Sequence, residues 1–176
     1  MIFQDTQLAD AVLIETPPIE DDRGSFRRTY CQNEFADRGL PVGWVQQNLS
    51  TTSQSGSIRG MHFQIGSSRE DKLVRCLQGC IFDVIIDLRE DSDTFMQWRG
   101  FELSATNEKQ LLVPKGFAHG FQTLEADSVV SYLVSSPYDP AAERGLRHDD
   151  PAIAIQWPRK VTEISEKDRN WPLLNV

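Results

Sequence analysis

The sequence predicts an all-β fold, and three observations carry that expectation. About ten short runs of alternating or β-branched residues follow one another at roughly regular spacing, most bounded by turn signals. Helical periodicity is almost absent. No internal repeat, low-complexity tract or long linker divides the 176 residues, a length that suits one domain with a sizeable core. Such a chain forms a sandwich or a barrel. A jelly roll satisfies the pattern because it pairs two antiparallel sheets and encloses a pocket at one end.

Taken in order, residues 11–15 alternate weakly and predict an early strand, and Pro17-Pro18 blocks a helix after it. Asp21-Asp22-Arg23-Gly24 is a turn signal, and a strand is expected over 25–30. Asn33 as N-cap and Gly39 as stop bracket a short helix within 32–38. A loop around Pro41 leads to a strand at 44–49, and the Ser/Thr/Gly-rich stretch 50–57 reads as a loop. Residues 58–64 form the strand around which the chain is organised, and 65–71 is a polar loop. Residues 72–77 alternate, Gln78-Gly79 turns the chain, and 81–88 is a β-branched run followed by a charged turn at 89–93. Further strands are expected at 98–103, at 110–113 (closed by Pro114), at 118–124 and at 128–135. Proline and charge become frequent from Tyr138 onward. Ser165-Glu166-Lys167-Asp168 has the pattern of a capping box at a short C-terminal helix.

Composition excludes several function classes. The formal net charge is −8, whereas a nucleic-acid partner calls for a basic face. No apolar run approaches the ~20 residues of a membrane span. The polar, acidic residues 1–10 carry no signal-peptide pattern, so a cytoplasmic location is expected. Cys31, Cys76 and Cys80 make an odd count with no disulfide framework. The apolar surroundings of Cys76 and Cys80 make them buried thiols, and a C-x3-C spacing without a nearby histidine is no zinc site.

Chemistry concentrates in Arg59-Gly60-Met61-His62-Phe63-Gln64. Strict alternation places Gly60, His62 and Gln64 on one face and Arg59, Met61 and Phe63 on the other. For Arg59 and His62 to serve one pocket the strand must bulge, and a glycine between them is the usual mark of a bulge. His62 taken alone reads as a core histidine with a satisfied hydrogen bond. His119 lies between Ala118 and Gly120, where small neighbours suggest the close approach of another group. Metal-binding jelly rolls supply a His-x-His and a nearby glutamate. Here Gln64 stands in place of the second histidine, and two imidazoles with an amide make a poor divalent site, so no metal is expected.

Several stretches together resemble the dTDP-4-dehydrorhamnose 3,5-epimerase family. They are the segment 59–64, Lys72-Leu73-Val74-Arg75, Phe82-Asp83-Val84 and Pro114-Lys115-Gly116-Phe117-Ala118-His119-Gly120-Phe121. The likeness extends to Asp22-Arg23-Gly24, Gln46-Gln47-Asn48, Tyr132, Tyr138 and Ser165-Glu166-Lys167-Asp168, and so runs over nearly the whole chain. It implies a cupin-like jelly roll, a homodimer, no metal or other cofactor, and epimerisation of a nucleotide-linked 4-keto sugar. Residues 19–28 are placed to cross to a partner subunit.

The residue types suit that reaction. A C–H beside a ketone is weakly acidic, and a base that titrates near neutrality, most often His, suits its removal. A fixed donor or cation at the ketone oxygen stabilises the developing enolate by roughly 3 kcal/mol in a dry site. Inversion needs an acid on the opposite face of the ring. By resemblance, His62 is the base, Asp168 orients and charges it, Lys72 holds the enolate oxygen, Tyr132 returns the proton and His119 contacts the sugar. Arg23 and Arg59 resemble the diphosphate contacts, for which a bidentate guanidinium is suited. Tyr138 matches the residue stacked on the base, and Gln46, Gln47, Asn48, Glu143 and Lys167 match substrate contacts. Each also has a plain structural reading: Asp168 as the third-position carboxylate of the capping box, Lys72 as a solvated strand end, Tyr132 as a barrel tyrosine, Lys167 as a surface charge. The joint match favours function.

Arg28 departs from the family pattern, which commonly has glutamate there. Glutamate accepts from the thymine N3–H, whereas arginine donates, as cytosine N3 requires. A CDP-sugar is therefore the alternative to a dTDP-sugar. A 3,4-ketoisomerase and a non-catalytic cupin are further alternatives.

Overall fold

The structure is a computed structural model, and it describes residues 1–174. These form two facing antiparallel sheets and a separate hairpin. The strands are β1 (Ile2–Asp5), β2 (Val12–Glu15), β3 (Ile19–Asp21), β4 (Gly24–Phe26), β5 (Gln46–Thr52), β6 (Ile58–Gln64), β7 (Lys72–Gln78), β8 (Cys80–Asp87), β9 (Trp98–Ser104), β10 (Lys109–Val113), β11 (Phe117–Thr123), β12 (Ser128–Val134) and β13 (Glu143–Gly145). Two short helices accompany them, α1 (Gln32–Ala36) and α2 (Glu166–Arg169). One sheet has the order β1-β2-β10-β7-β12-β5, the other β13-β6-β11-β8-β9, and β3 pairs with β4 alone. This is a jelly roll, as the strand pattern predicts, and its cupin-like form is what the resemblance implies.

Packing explains the patterns along the chain. Val74, Ile81, Ile85, Leu103, Leu111, Phe121 and Val130 fill the space between the sheets. The outer face of the five-stranded sheet buries Met61, Val84, Ile86 and Ala118 under Leu146, Ile153 and Ile155 of the C-terminal segment. Strand β8 thus has apolar cover on both faces, which is why 81–86 is apolar almost without interruption. Each fully buried Ile or Val on it contributes roughly 1.5–3 kcal/mol of burial free energy. Across the molecule, Phe35 of α1 plugs the outer face of the six-stranded sheet with Val12, Ile14, Leu73 and Leu112.

Several boundaries differ from expectation. The strand expected over 25–30 stops at Phe26, where Arg27 pairs with Glu108 instead. Cys31, not Asn33, caps α1 and provides no side-chain bond; Asn33 lies within its first turn. The strand expected at 44–49 is shifted to Gln46–Thr52, taking in part of the expected loop, because β12 pairs with it through Ser128–Thr52. Strands β1, β3 and β13 are three or four residues long, too short for a visible period. Among the described residues, no helix is long and apolar enough to cross a membrane.

Candidate active site

The site is built on a bulge in β6. His62 pairs with His119 on β11, but Phe121 pairs with Arg59, so three steps on β6 oppose two on β11. The extra residue turns Arg59 and His62 to the same face, where both line one cavity of about 460 Å³. Glycine is required on both strands here. Gly60 has φ +127°, and a Cβ on it would lie 2.5 Å from the Gly120 Cα. A Cβ on Gly120 would in turn lie 2.6 Å from the Met61 Sδ.

The C-terminal chain returns to this bulge. Ile164 bridges to Ile58, which sets α2 beside the start of β6. Ser165 caps α2 by accepting from the Asp168 N–H at 3.0 Å, as the capping-box pattern predicts. The Asp168 carboxylate does not complete the box. Its Oδ2 accepts from the Gly60 N–H at 3.1 Å and its Oδ1 lies 2.6 Å from His62 Nε2. Burial works to raise the Asp168 pKa, but the His62 hydrogen bond and charge and the Gly60 N–H outweigh it and leave it below the usual carboxylate value. An ionised carboxylate only accepts, so His62 Nε2 carries the proton and Nδ1 keeps a lone pair for other work.

A second pair stands across the strand. His119 Nε2 lies 2.8 Å from Asp83 Oδ1, and both residues are buried. Lys72, at the start of β7, is nearly closed off and lies 3.2 Å from Glu70 Oε1. The other oxygen of Glu70 accepts from Gln64 Nε2 at 2.9 Å. Tyr132 on β12 lines the same cavity. Burial raises its phenol pKa, Glu70 adds to the rise and Arg59 opposes it. An imidazole lone pair, an ammonium and a protonated phenol therefore share one cavity. That set can remove a carbon-bound proton, hold the resulting oxyanion and deliver a proton.

A second lobe of about 260 Å³ opens from His62, Lys72 and Tyr132 toward Gln46, Asn48, Tyr138 and Glu143. Gln46 donates to Asn48 Oδ1 at 2.9 Å. Tyr138 donates to one oxygen of Glu143 at 2.9 Å and Lys167 to the other at 2.6 Å. Tyr138 is half exposed. Arg59 is steadied by Thr52 Oγ1 at 2.9 Å and the Thr51 carbonyl at 3.0 Å.

The family model for dTDP-4-dehydrorhamnose 3,5-epimerase matches residues 5–175. The chain belongs to the dTDP-4-dehydrorhamnose 3,5-epimerase family. It is 46% identical over 175 residues to the enzyme of that name from Sinorhizobium fredii, covering 99% of this chain and 90% of the relative. A Bacillus anthracis family structure with TDP and PPi bound superposes with a TM-score of 0.93 at 45% identity, covering 98% of this chain and 99% of that one. A Legionella pneumophila family structure in complex with dTDP-4-keto-L-rhamnose gives a TM-score of 0.92 at 37% identity, covering 98% and 92%.

Within this family member, the cavity and its side lobe bring together His62, Lys72, Tyr132, Asp168, Arg59, His119, Lys167, Gln46, Asn48, Tyr138 and Glu143. Three of the expected residues lie elsewhere. Gln47 alternates to the opposite face of β5 and donates to Ser131 Oγ at 3.1 Å. Arg23 sits on the β3–β4 turn, largely exposed and paired with Asp21. Arg28 lies 3.5 Å from Glu34 beside α1. The sequence reading missed Glu70, hidden in a polar loop. It also missed Asp83 as the partner of His119; the signal was a charged residue inside the apolar run 81–86.

Proposed function

We propose that the chain is a cofactor-independent epimerase of dTDP-4-dehydro-6-deoxyglucose that inverts C3 and C5, acting as one jelly-roll domain in deoxysugar biosynthesis in the cytoplasm. The observation that carries the proposal is the convergence of His62, Lys72 and Tyr132 on one cavity, with His62 held at 2.6 Å by Asp168. His62 Nδ1 takes the proton from the carbon beside the ketone. The C–H electron pair becomes the enolate double bond and the carbonyl π pair moves onto oxygen, where the Lys72 ammonium meets it. Tyr132 then gives its O–H proton to the opposite face, and the ketone re-forms. The proton on His62 passes to solvent and Tyr132 regains one, so the net change is stereochemical alone.

Arg59, Lys167, Gln46, Asn48, His119 and Glu143 bind the sugar and diphosphate, and Tyr138 stacks on the base. Arg23 and Arg28 reach the substrate from a second copy of the chain. A homodimer is supported by exposed apolar residues on the β3–β4 hairpin, Ile19 and Phe26, and by Val45 and Leu49 at the edge strand β5. Thymine is preferred to cytosine, on the strength of the dTDP-linked sugar in the Legionella pneumophila relative's complex. Incubation in heavy water with dTDP- and CDP-linked 4-keto-6-deoxyglucose tests this reading. Deuterium entering C3 and C5 of the dTDP-sugar, with inversion, is expected. Exchange at C3 alone would make it a 3-epimerase, accumulation of a 3-keto sugar would make it a ketoisomerase, and no exchange would refute catalysis.

A further inference from the structure

Gly145 on β13 is the direct cross-strand partner of His62 on β6. It has no side chain to set beside the imidazole, and Trp171 takes the space. A Cβ on Gly145 would lie 2.2 Å from the indole Cε2. The indole meets the His62 ring edge-on, with 6.4 Å between centroids and 70° between planes. Its ring N–H is buried and has no hydrogen-bond partner among the described residues. An unpaired buried donor costs free energy, so a nearby acceptor has a strong claim on it. The Asp168 carboxylate is the candidate, because it holds the imidazole against which the indole packs. Burial raises its pKa, and the Trp171 N–H is among the groups, with His62 and Gly60, that hold it down. Two protein donors within hydrogen-bond distance leave an ionised carboxylate with acceptor sites to spare.

We propose that Trp171 is a positioning residue for the His62–Asp168 pair, its ring packed on the imidazole edge and its N–H directed at the Asp168 carboxylate. This rests on the reading of His62 as the base. The His62 side chain is 32% exposed, so it has room to turn on the cavity side. Asp168 fixes one nitrogen of the ring, and the indole limits its rotation about that bond. The absence of a side chain at Gly145 and the orphaned indole N–H are separate observations that agree on this role.

Trp171→Phe keeps apolar cover and deletes the N–H; Trp171→Ala deletes both. A carboxylate that loses one donor attracts the His62 proton more strongly, so the imidazolium is favoured. The expected results are a His62 imidazole titration by NMR, assigned with His62→Asn, that moves to higher pH in Trp171→Phe and further in Trp171→Ala. The acid limb of kcat moves with it, and kcat falls about tenfold in Trp171→Phe from imperfect orientation while KM stays within about twofold. Gly145→Ala, which pushes the indole away, gives the same direction and serves if a Trp171 variant does not fold. A lower Tm with an unmoved His62 titration and acid limb would overturn the proposal and leave Trp171 as packing alone. The titration reads the proposal without turnover, so an inactive wild type would refute the proposed function and not this inference.

Discussion

The cavity holds two histidine–carboxylate pairs that look alike and are built differently. His62 and His119 are opposite one another on adjacent strands, and each places Nε2 within 3 Å of a carboxylate, 2.6 Å for Asp168 and 2.8 Å for Asp83. The His62 side chain is 32% exposed and its carboxylate comes from the C-terminal α2, with both oxygens hydrogen-bonded. The His119 side chain is 9% exposed, and Asp83 lies inside the barrel with Oδ2 lacking a partner among the described residues. The open pair can meet a carbon acid, take its proton and pass it to water. The closed pair has no such exit and suits a fixed contact to the substrate. Access, more than the residue pair itself, separates a base from a binding group.

Removing each carboxylate's charge without its shape sharpens that contrast. Asp168→Asn should lower kcat by about 10³-fold, because an amide can hold the wrong imidazole tautomer and cannot stabilise the imidazolium. Steady-state kinetics on the dTDP-4-keto sugar checks this. Asp83→Asn should instead raise KM about tenfold and leave kcat within about threefold, as expected for binding common to ground and transition states. Equal losses of kcat in the two variants would break the comparison. Glu70→Gln should cost kcat only a few-fold by loosening Lys72. Tyr132 is raised first by burial and then by Glu70, so removing that charge lowers the phenol pKa and moves the basic limb of inversion to lower pH.

The smallest effect concerns stability. The folded Asp168 pKa lies below its ordinary value, so its contribution is present above about pH 4 and is lost as pH falls through the folded value. Acid unfolding followed by circular dichroism should therefore be shallower over that range in Asp168→Asn than in the wild type.

Much of the architecture is legible because burial leaves a period in the sequence. The run 81–86 is apolar because both faces of β8 are covered, and Gly60 marks the bulge because only glycine tolerates the approach of Gly120. Strand β13 and the destination of the Asp168 side chain are not legible locally. The first pairs only three residues, and the second depends on a contact 106 residues away. The capping box at Ser165 gives the helix start correctly and points the carboxylate to the wrong partner. Resemblance to a family, and not spacing, joins His62 to Asp168 before the fold is known. Glu70 and Trp171 lie outside the motifs that carry that resemblance, so only packing reveals them.

The central claim is that His62, and not His119, is the group that removes the proton. Deuterium wash-in to the dTDP-4-keto sugar, followed by NMR in heavy water for His62→Asn and His119→Asn at saturating substrate, tests it most directly. The account predicts no enzymatic exchange at C3 or C5 with His62→Asn and continued exchange with His119→Asn. Exchange surviving in the first variant and vanishing in the second would contradict it.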